Sequence, residues 1–165
     1  MSLIPAMFAT LAICLALAAI AHDRLAYEPL RRALRDGRLD PAPGGLLRTW
    51  RGSGMAEHPE ATYRYVPYDV PRGTTAIVRG RLDPAGRYFS IAVYDLWLQS
   101  ARARGPTWVS TDSLHAGADG SFTLVLAHTD PGVPWLDVST APRGVLFERH
   151  LGGASLVPSM LERAL

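Results

Sequence analysis

The chain opens on an unbroken apolar stretch and then changes rhythm. Leu3 to Ala21 (LIPAMFATLAICLALAAIA) carries no charge, and Thr10 is its one polar side chain. As a helix rising 1.5 Å per residue the stretch would be about 28 Å long, close to the ~30 Å hydrocarbon layer of a bilayer. A helix satisfies its own backbone groups in lipid, so the run predicts a transmembrane helix, with Pro5 in its first turn where a missing N–H costs little. Further on, Leu30 and Leu34 stand one turn apart between Pro29 and Gly37, the punctuation of a short juxtamembrane helix with arginines on its other face. Asp40-Pro41-Ala42-Pro43-Gly44-Gly45 then reads as a linker.

After the linker, helical spacing gives way to short alternating runs. Strands are predicted near Thr62–Val66, Thr74–Arg79, Tyr88–Tyr94, Trp108–Ser110, Ser121–His128 and Val145–Arg149. Side chains alternate faces along a strand, so Phe89, Ile91 and Val93 share the expected core face of one strand and Phe122, Leu124 and Leu126 that of another. Asp119-Gly120 is a hairpin signal, because both residue types tolerate positive φ, and Asp130-Pro131-Gly132 and Ala141-Pro142-Arg143-Gly144 are further turns. The pattern predicts an all-β fold, an antiparallel β-sandwich, over residues 46–152. Residues 1–21 form the anchor or uncleaved signal, 22–45 the juxtamembrane helix and linker, and 153–165 a tail or short helix, with Pro158 in the first turn of Leu156–Leu165.

Composition narrows the reading. The 165 residues are 48% hydrophobic and 19% charged, an ordinary balance for one folded domain, with Gly 15 and Pro 13 supplying turns. All 17 basic residues are arginine, yet the net charge is +2, too small a surplus to predict a nucleic-acid partner. The single cysteine, Cys14, lies inside the apolar run and permits no intrachain disulfide or cysteine-based zinc site. The N-terminus admits two readings. In one, Leu3–Ala21 stays in the lipid bilayer as a single-pass anchor, and Arg24, Arg31, Arg32, Arg35 and Arg38 weigh toward a cytoplasmic position for the rest of the chain. In the other, Ala19-Ile20-Ala21 is a signal-peptide cleavage site and a secreted or periplasmic chain begins at His22. Met1-Ser2 lacks a basic leader, which favours the anchor.

The second half carries a more specific signature. Gly86-Arg87-Tyr88-Phe89-Ser90-Ile91-Ala92-Val93-Tyr94-Asp95 is followed by Gln99-Ser100, then by Asp119-Gly120-Ser121-Phe122. Asp130-Pro131-Gly132-Val133-Pro134-Trp135-Leu136-Asp137 and Arg143-Gly144-Val145-Leu146-Phe147-Glu148-Arg149 complete the series. In order and spacing these segments resemble the bacterial family called domain of unknown function 1214, over about Trp50 to Leu151. The resemblance implies a jelly-roll-like antiparallel sandwich, often accompanied by a domain of unknown function 1254 that this short chain is expected to lack. It implies no established activity. Pro134 departs from the family pattern, which has asparagine immediately before the tryptophan.

Candidate chemistry is sparse. His128, Asp130 and His150 offer two imidazoles and a carboxylate, the donor set of a jelly-roll iron site, although Asp130 also begins a turn. No Gly-x-Ser-x-Gly elbow marks a serine nucleophile and no glycine-rich loop cradles phosphate, and no cofactor is expected. Tyr94, Asp95, Trp97, Gln99, Ser100, Trp135, Asp137 and Arg149 form the principal candidate group. On a structural reading Trp97 and Trp135 close the sandwich, Asp137 caps a turn and Arg149 pairs with an acid such as Asp95. On a functional reading the group makes a shallow pocket for a sugar or another polar ligand. The expected function is a membrane-anchored, non-catalytic binding or assembly module with a membrane protein or glycan as partner. The alternative is an envelope enzyme using Asp95 and Asp137 on a carbohydrate or lipid-derived substrate.

Overall fold

The computed structural model describes residues 8–18, 20–21, 28, 32, 48–49, 61–82, 87–152 and 160–164. Nine strands are found among them: β1 (Arg48–Thr49), β2 (Ala61–Asp69), β3 (Thr75–Arg81), β4 (Tyr88–Asp95), β5 (Trp108–Ser110), β6 (Ser121–Ala127), β7 (Trp135–Asp137), β8 (Arg143–Leu151) and β9 (Met160–Ala164). They form a five-stranded sheet in the order β1-β2-β8-β4-β5 and a four-stranded sheet in the order β7-β6-β3-β9.

The core lies between the two sheets and follows from the alternation. Phe89, Ile91 and Val93 are buried on β4, and Phe122, Leu124 and Leu126 are buried on β6, the faces that the sequence pattern predicts. Val66, Val78 and Leu146 join them with no exposed surface, each fully buried apolar side chain stabilising the fold by about 1.5–3 kcal/mol. Tyr68 reaches across one end of the core, donating its hydroxyl to the Ala141 carbonyl at 2.8 Å. Beside it, Gly144 on β8 leaves no room for a side chain, because a Cβ there would run into the Tyr94 carbonyl oxygen. That close approach requires glycine.

Several expectations are corrected. The sheets are not wholly antiparallel: β7 runs parallel to β6, with Val125 opposite Trp135 and Ala127 opposite Asp137. Residues 160–164, expected in a tail or short helix, form β9 and pair with β3 from Met160 opposite Arg79 to Ala164 opposite Thr75. The Asp119-Gly120 turn joins no hairpin of neighbouring strands, since β6 pairs with β3 and β7. It closes on itself instead, with Gly120 at φ 81° and the Gly117 N–H donating to the Ser121 carbonyl.

At the N-terminus residues 8–18 are helical, about 16 Å at 1.5 Å per residue. Among the described residues no helix is long and apolar enough to cross a membrane, so the expected spanning helix is not found there. Residues 1–7 and 19 lie outside the described residues. Of the expected juxtamembrane helix, Glu28 and Arg32 are described; both are helical and joined by an ion pair of 3.1 Å. Most of that segment and the linker also lie outside the described residues.

Candidate functional site

The principal candidate group divides among three places. Asp95 ends β4 and folds back on its own turn, its Oδ1 accepting hydrogen bonds from the Trp97 N–H at 2.8 Å and the Gln99 N–H at 2.9 Å. Leu98 takes a left-handed φ of 58° in that turn, strained for a residue with a Cβ. Ser100 bridges back to Tyr94. Trp97 is 52% exposed, so it does not seal the sandwich.

Trp135 and Asp137 sit on β7, in the other sheet. The buried Asp137 carboxylate accepts from the Gly105 N–H at 2.8 Å and from the Ser139 N–H at 2.8 Å. Its own N–H donates to the Pro106 carbonyl at 2.6 Å. Burial pushes its pKa up, but hydrogen bonds from Ser139 and Gly105 and the nearby His128 pull harder, leaving the carboxyl below its ordinary value. Trp135 lies against Gly105, where a Cβ would come within 2.7 Å of its ring. Asp137 therefore ties the loop ahead of β5 to the edge of the four-stranded sheet.

Tyr94 and Arg149 meet on the outer face of the five-stranded sheet. Side chains of β8 alternate, so Leu146, Glu148 and His150 share the inner face while Val145, Phe147 and Arg149 share the outer one. The register places Arg149 opposite Tyr63 on one side and Ser90 on the other. Its guanidinium lies over the Tyr63 ring at 5.8 Å and the Tyr88 ring at 6.0 Å, within cation–π range. Phe147 meets Tyr94 edge to face at 5.5 Å and Tyr65 at 6.1 Å. Burial lifts the Tyr94 hydroxyl above its ordinary pKa, with the Arg149 charge pulling it down and Tyr63 pushing it up.

Arg149 does not pair with Asp95 or with another acid among the described residues, whose ion pairs include Arg32–Glu28, Arg64–Glu148, Arg79–Glu162, Arg143–Asp69 and His150–Glu148. Its Nε is buried and has no hydrogen-bond partner. An aromatic bed around one guanidinium is what the outer face presents.

The inner face holds a group that sequence reasoning missed. Arg64 and Glu148 approach to 3.7 Å and His150 and Glu148 to 3.3 Å, with all three residues buried. His150 also meets the Phe89 ring edge to face at 5.0 Å. The signal available was the Arg-x-Val-x-Tyr phase of β2, which puts Arg64 on the same face as Val66 and Tyr68. The expected metal set is not assembled: among the described residues no group of three metal-ligating side chains occurs. His150 faces the core from β8, His128 follows β6 with its Nε2 2.8 Å from the Val70 carbonyl, and Asp130 accepts from the Gly132 N–H in its turn.

Two packed sheets with an aromatic, arginine-centred outer face define a β-sandwich domain. No family model and no curated protein matches the chain. Among solved structures it is similar to an uncharacterized protein from Burkholderia cenocepacia, with a TM-score of 0.64 and 20% identity over 73% of this chain and 35% of that one. It is also similar to the VPA0106 protein from Vibrio parahaemolyticus, with a TM-score of 0.51 and 13% identity over 64% of this chain and 31% of that one. The chain thus spans about a third of the length of each, and at these identities the likeness is one of fold.

Proposed function

We propose that this chain is a membrane-tethered, non-catalytic binding or assembly module, with a jelly-roll-like sandwich of the domain of unknown function 1214 type. The observation that carries the binding reading is the division of labour among polar groups. Asp95 is spent on backbone amides of its own turn and Asp137 on those of Ser139 and of Gly105 in the loop ahead of β5, whereas Arg149 lies in an aromatic bed with no acid among the described residues against it. Carboxylates engaged as caps are poor general acids or bases, because proton transfer requires them to face a substrate. The chain passes repeatedly between the sheets, from β2 to β3, β3 to β4 and β5 to β6, which supports the jelly-roll reading.

The tether rests on residues 8–18, which are exposed throughout, with Phe8, Leu11, Ile13, Leu15 and Leu17 all more than half exposed. A helix apolar on every side needs an apolar surrounding, and Leu3–Ala21 in a bilayer supplies it. Cleavage after Ala21 is the competing outcome. Intact mass of the membrane-extracted protein separates the two: a retained N-terminus supports the anchor, and a chain beginning at His22 overturns it. Gentle solubilisation followed by native mass measurement tests the binding role. A complex with protein, lipid or glycan is the expected result, and a bare monomer contradicts it.

A further inference from the structure

We infer that Arg149 and the phenol rings beside it form a carboxylate-binding site for a small monoanion with a flat or apolar body. The inference deepens the binding-module reading and rests on it. A guanidinium offers five N–H donors in one plane, a fork that matches a carboxylate. Tyr63 and Tyr88 lie against Arg149, and rings over a guanidinium face leave hydrogen bonds to be made at its edge.

The surroundings set the ligand's charge. Register puts Tyr63, Arg149 and Ser90 in one row across β2, β8 and β4, with Tyr65, Phe147 and Ala92 in the next. Along β2, β8 and β4 the formal charge in these rows is that of Arg149, and β1 adds Arg48, opposite Tyr65, at the end of the second row. One negative charge neutralises Arg149, whereas a dianion needs a second cation beside the apolar bed, and Arg48 at the end of the next row is the residue placed to supply it. A carboxylate is the match for Arg149 alone, and a phosphate monoester would draw on Arg48 as well. Tyr88, Tyr94 and Phe147 would flank the ligand's body, with phenol and serine hydroxyls at hand for polar substituents. Two ligand sources share this chemistry: an acidic sugar, whose ring stacks on aromatic faces, and a free aromatic acid.

The test titrates the full chain in detergent micelles with glucuronate, benzoate, acetate and inorganic phosphate, following tyrosine fluorescence and the Arg149 Nε–H resonance. Saturable binding of glucuronate or benzoate is expected, tighter than acetate and weakened roughly tenfold or more by Arg149→Met. Arg149→Lys, which keeps the charge without the fork, retains part of the affinity and guards against a folding defect in the first variant. Glucuronate as the tighter ligand identifies the glycan source, and benzoate the aromatic acid. Phosphate binding as tightly as either overturns the monoanion assignment. No saturable carboxylate binding, or binding indifferent to Arg149→Met, overturns the site. If that happens while wild type and Arg149→Met both still co-purify with a partner from solubilised membrane, the site fails and the module reading stands; if nothing co-purifies, both fail.

Discussion

Arg64 and Arg149 stand on opposite faces of the five-stranded sheet, and the sheet treats them oppositely. Arg64 on the inner face is buried beside Glu148, and His150 approaches the same carboxylate. Arg149, displaced by one residue from Glu148 along β8, points outward onto phenol rings with no acid among the described residues beside it. The lesson is one of solvation. A charge sealed between sheets must bring its counter-charge from within the chain, because an unpaired buried ion costs several kcal/mol. A charge at the surface can leave that role to water or to a ligand.

The largest expected effect breaks the inner arrangement. Glu148→Gln leaves Arg64 without its carboxylate and should cost about 3–5 kcal/mol of stability, measured by denaturant unfolding. The double variant Arg64→Met, Glu148→Leu should recover most of that loss, since a packed apolar pair of similar volume often matches a buried ion pair. If Glu148→Gln is neutral, the inner pair is not structural.

Next comes the loop tie. Asp137→Asn weakens two charge-assisted hydrogen bonds and should cost about 1–3 kcal/mol. Because the folded carboxyl sits below its ordinary value, its contribution is fully present above the unfolded value of about 4. It is lost as pH falls through the lower folded value. Wild type should therefore lose stability more steeply than Asp137→Asn below about pH 4, and parallel pH profiles would count against the tie.

Tyr68→Phe removes the hydroxyl that Ala141 accepts and should cost about 1 kcal/mol. Smallest is the outer face: Arg149→Met should change stability by less than about 1 kcal/mol, since a half-exposed cation–π contact is worth little more. The same variant should raise the Tyr94 pKa further, because the Arg149 charge holds it down. Absorbance of the phenolate during titration would show it.

How much of this was legible in the chain depends on what each feature rests on. Alternation in Tyr88–Tyr94 and Ser121–His128 is local, so both core faces were readable, and the Asp-Pro-Gly turn was readable from its chemistry. β9 was not. Met160-Leu161-Glu162-Arg163-Ala164 is made largely of good helix formers, and it becomes a strand through pairing with β3, a partner some 85 residues away in sequence. β7 is three residues long behind two prolines, and its parallel pairing to β6 leaves no local mark. Of the candidate group, Arg149 and Tyr94 lie on one face of the five-stranded sheet, a placement that β periodicity in their strands made readable. The group also gathered Asp95, Trp97, Gln99, Trp135 and Asp137, which one strand order would have separated into a turn and a second sheet. Arg64 and Glu148 stayed hidden, and His150 was grouped with His128 and Asp130 instead, because charge in a strand reads as a solvated face until the partner strand is known.

The outer face is proposed to bind a ligand, whereas the inner face only holds the sheets together. Following the Nε–H resonances of Arg64 and Arg149 in the full chain during a carboxylate titration separates these roles in one experiment. Arg149 should shift and saturate while Arg64 stays fixed. Movement of Arg64, or of neither, would contradict the assignment.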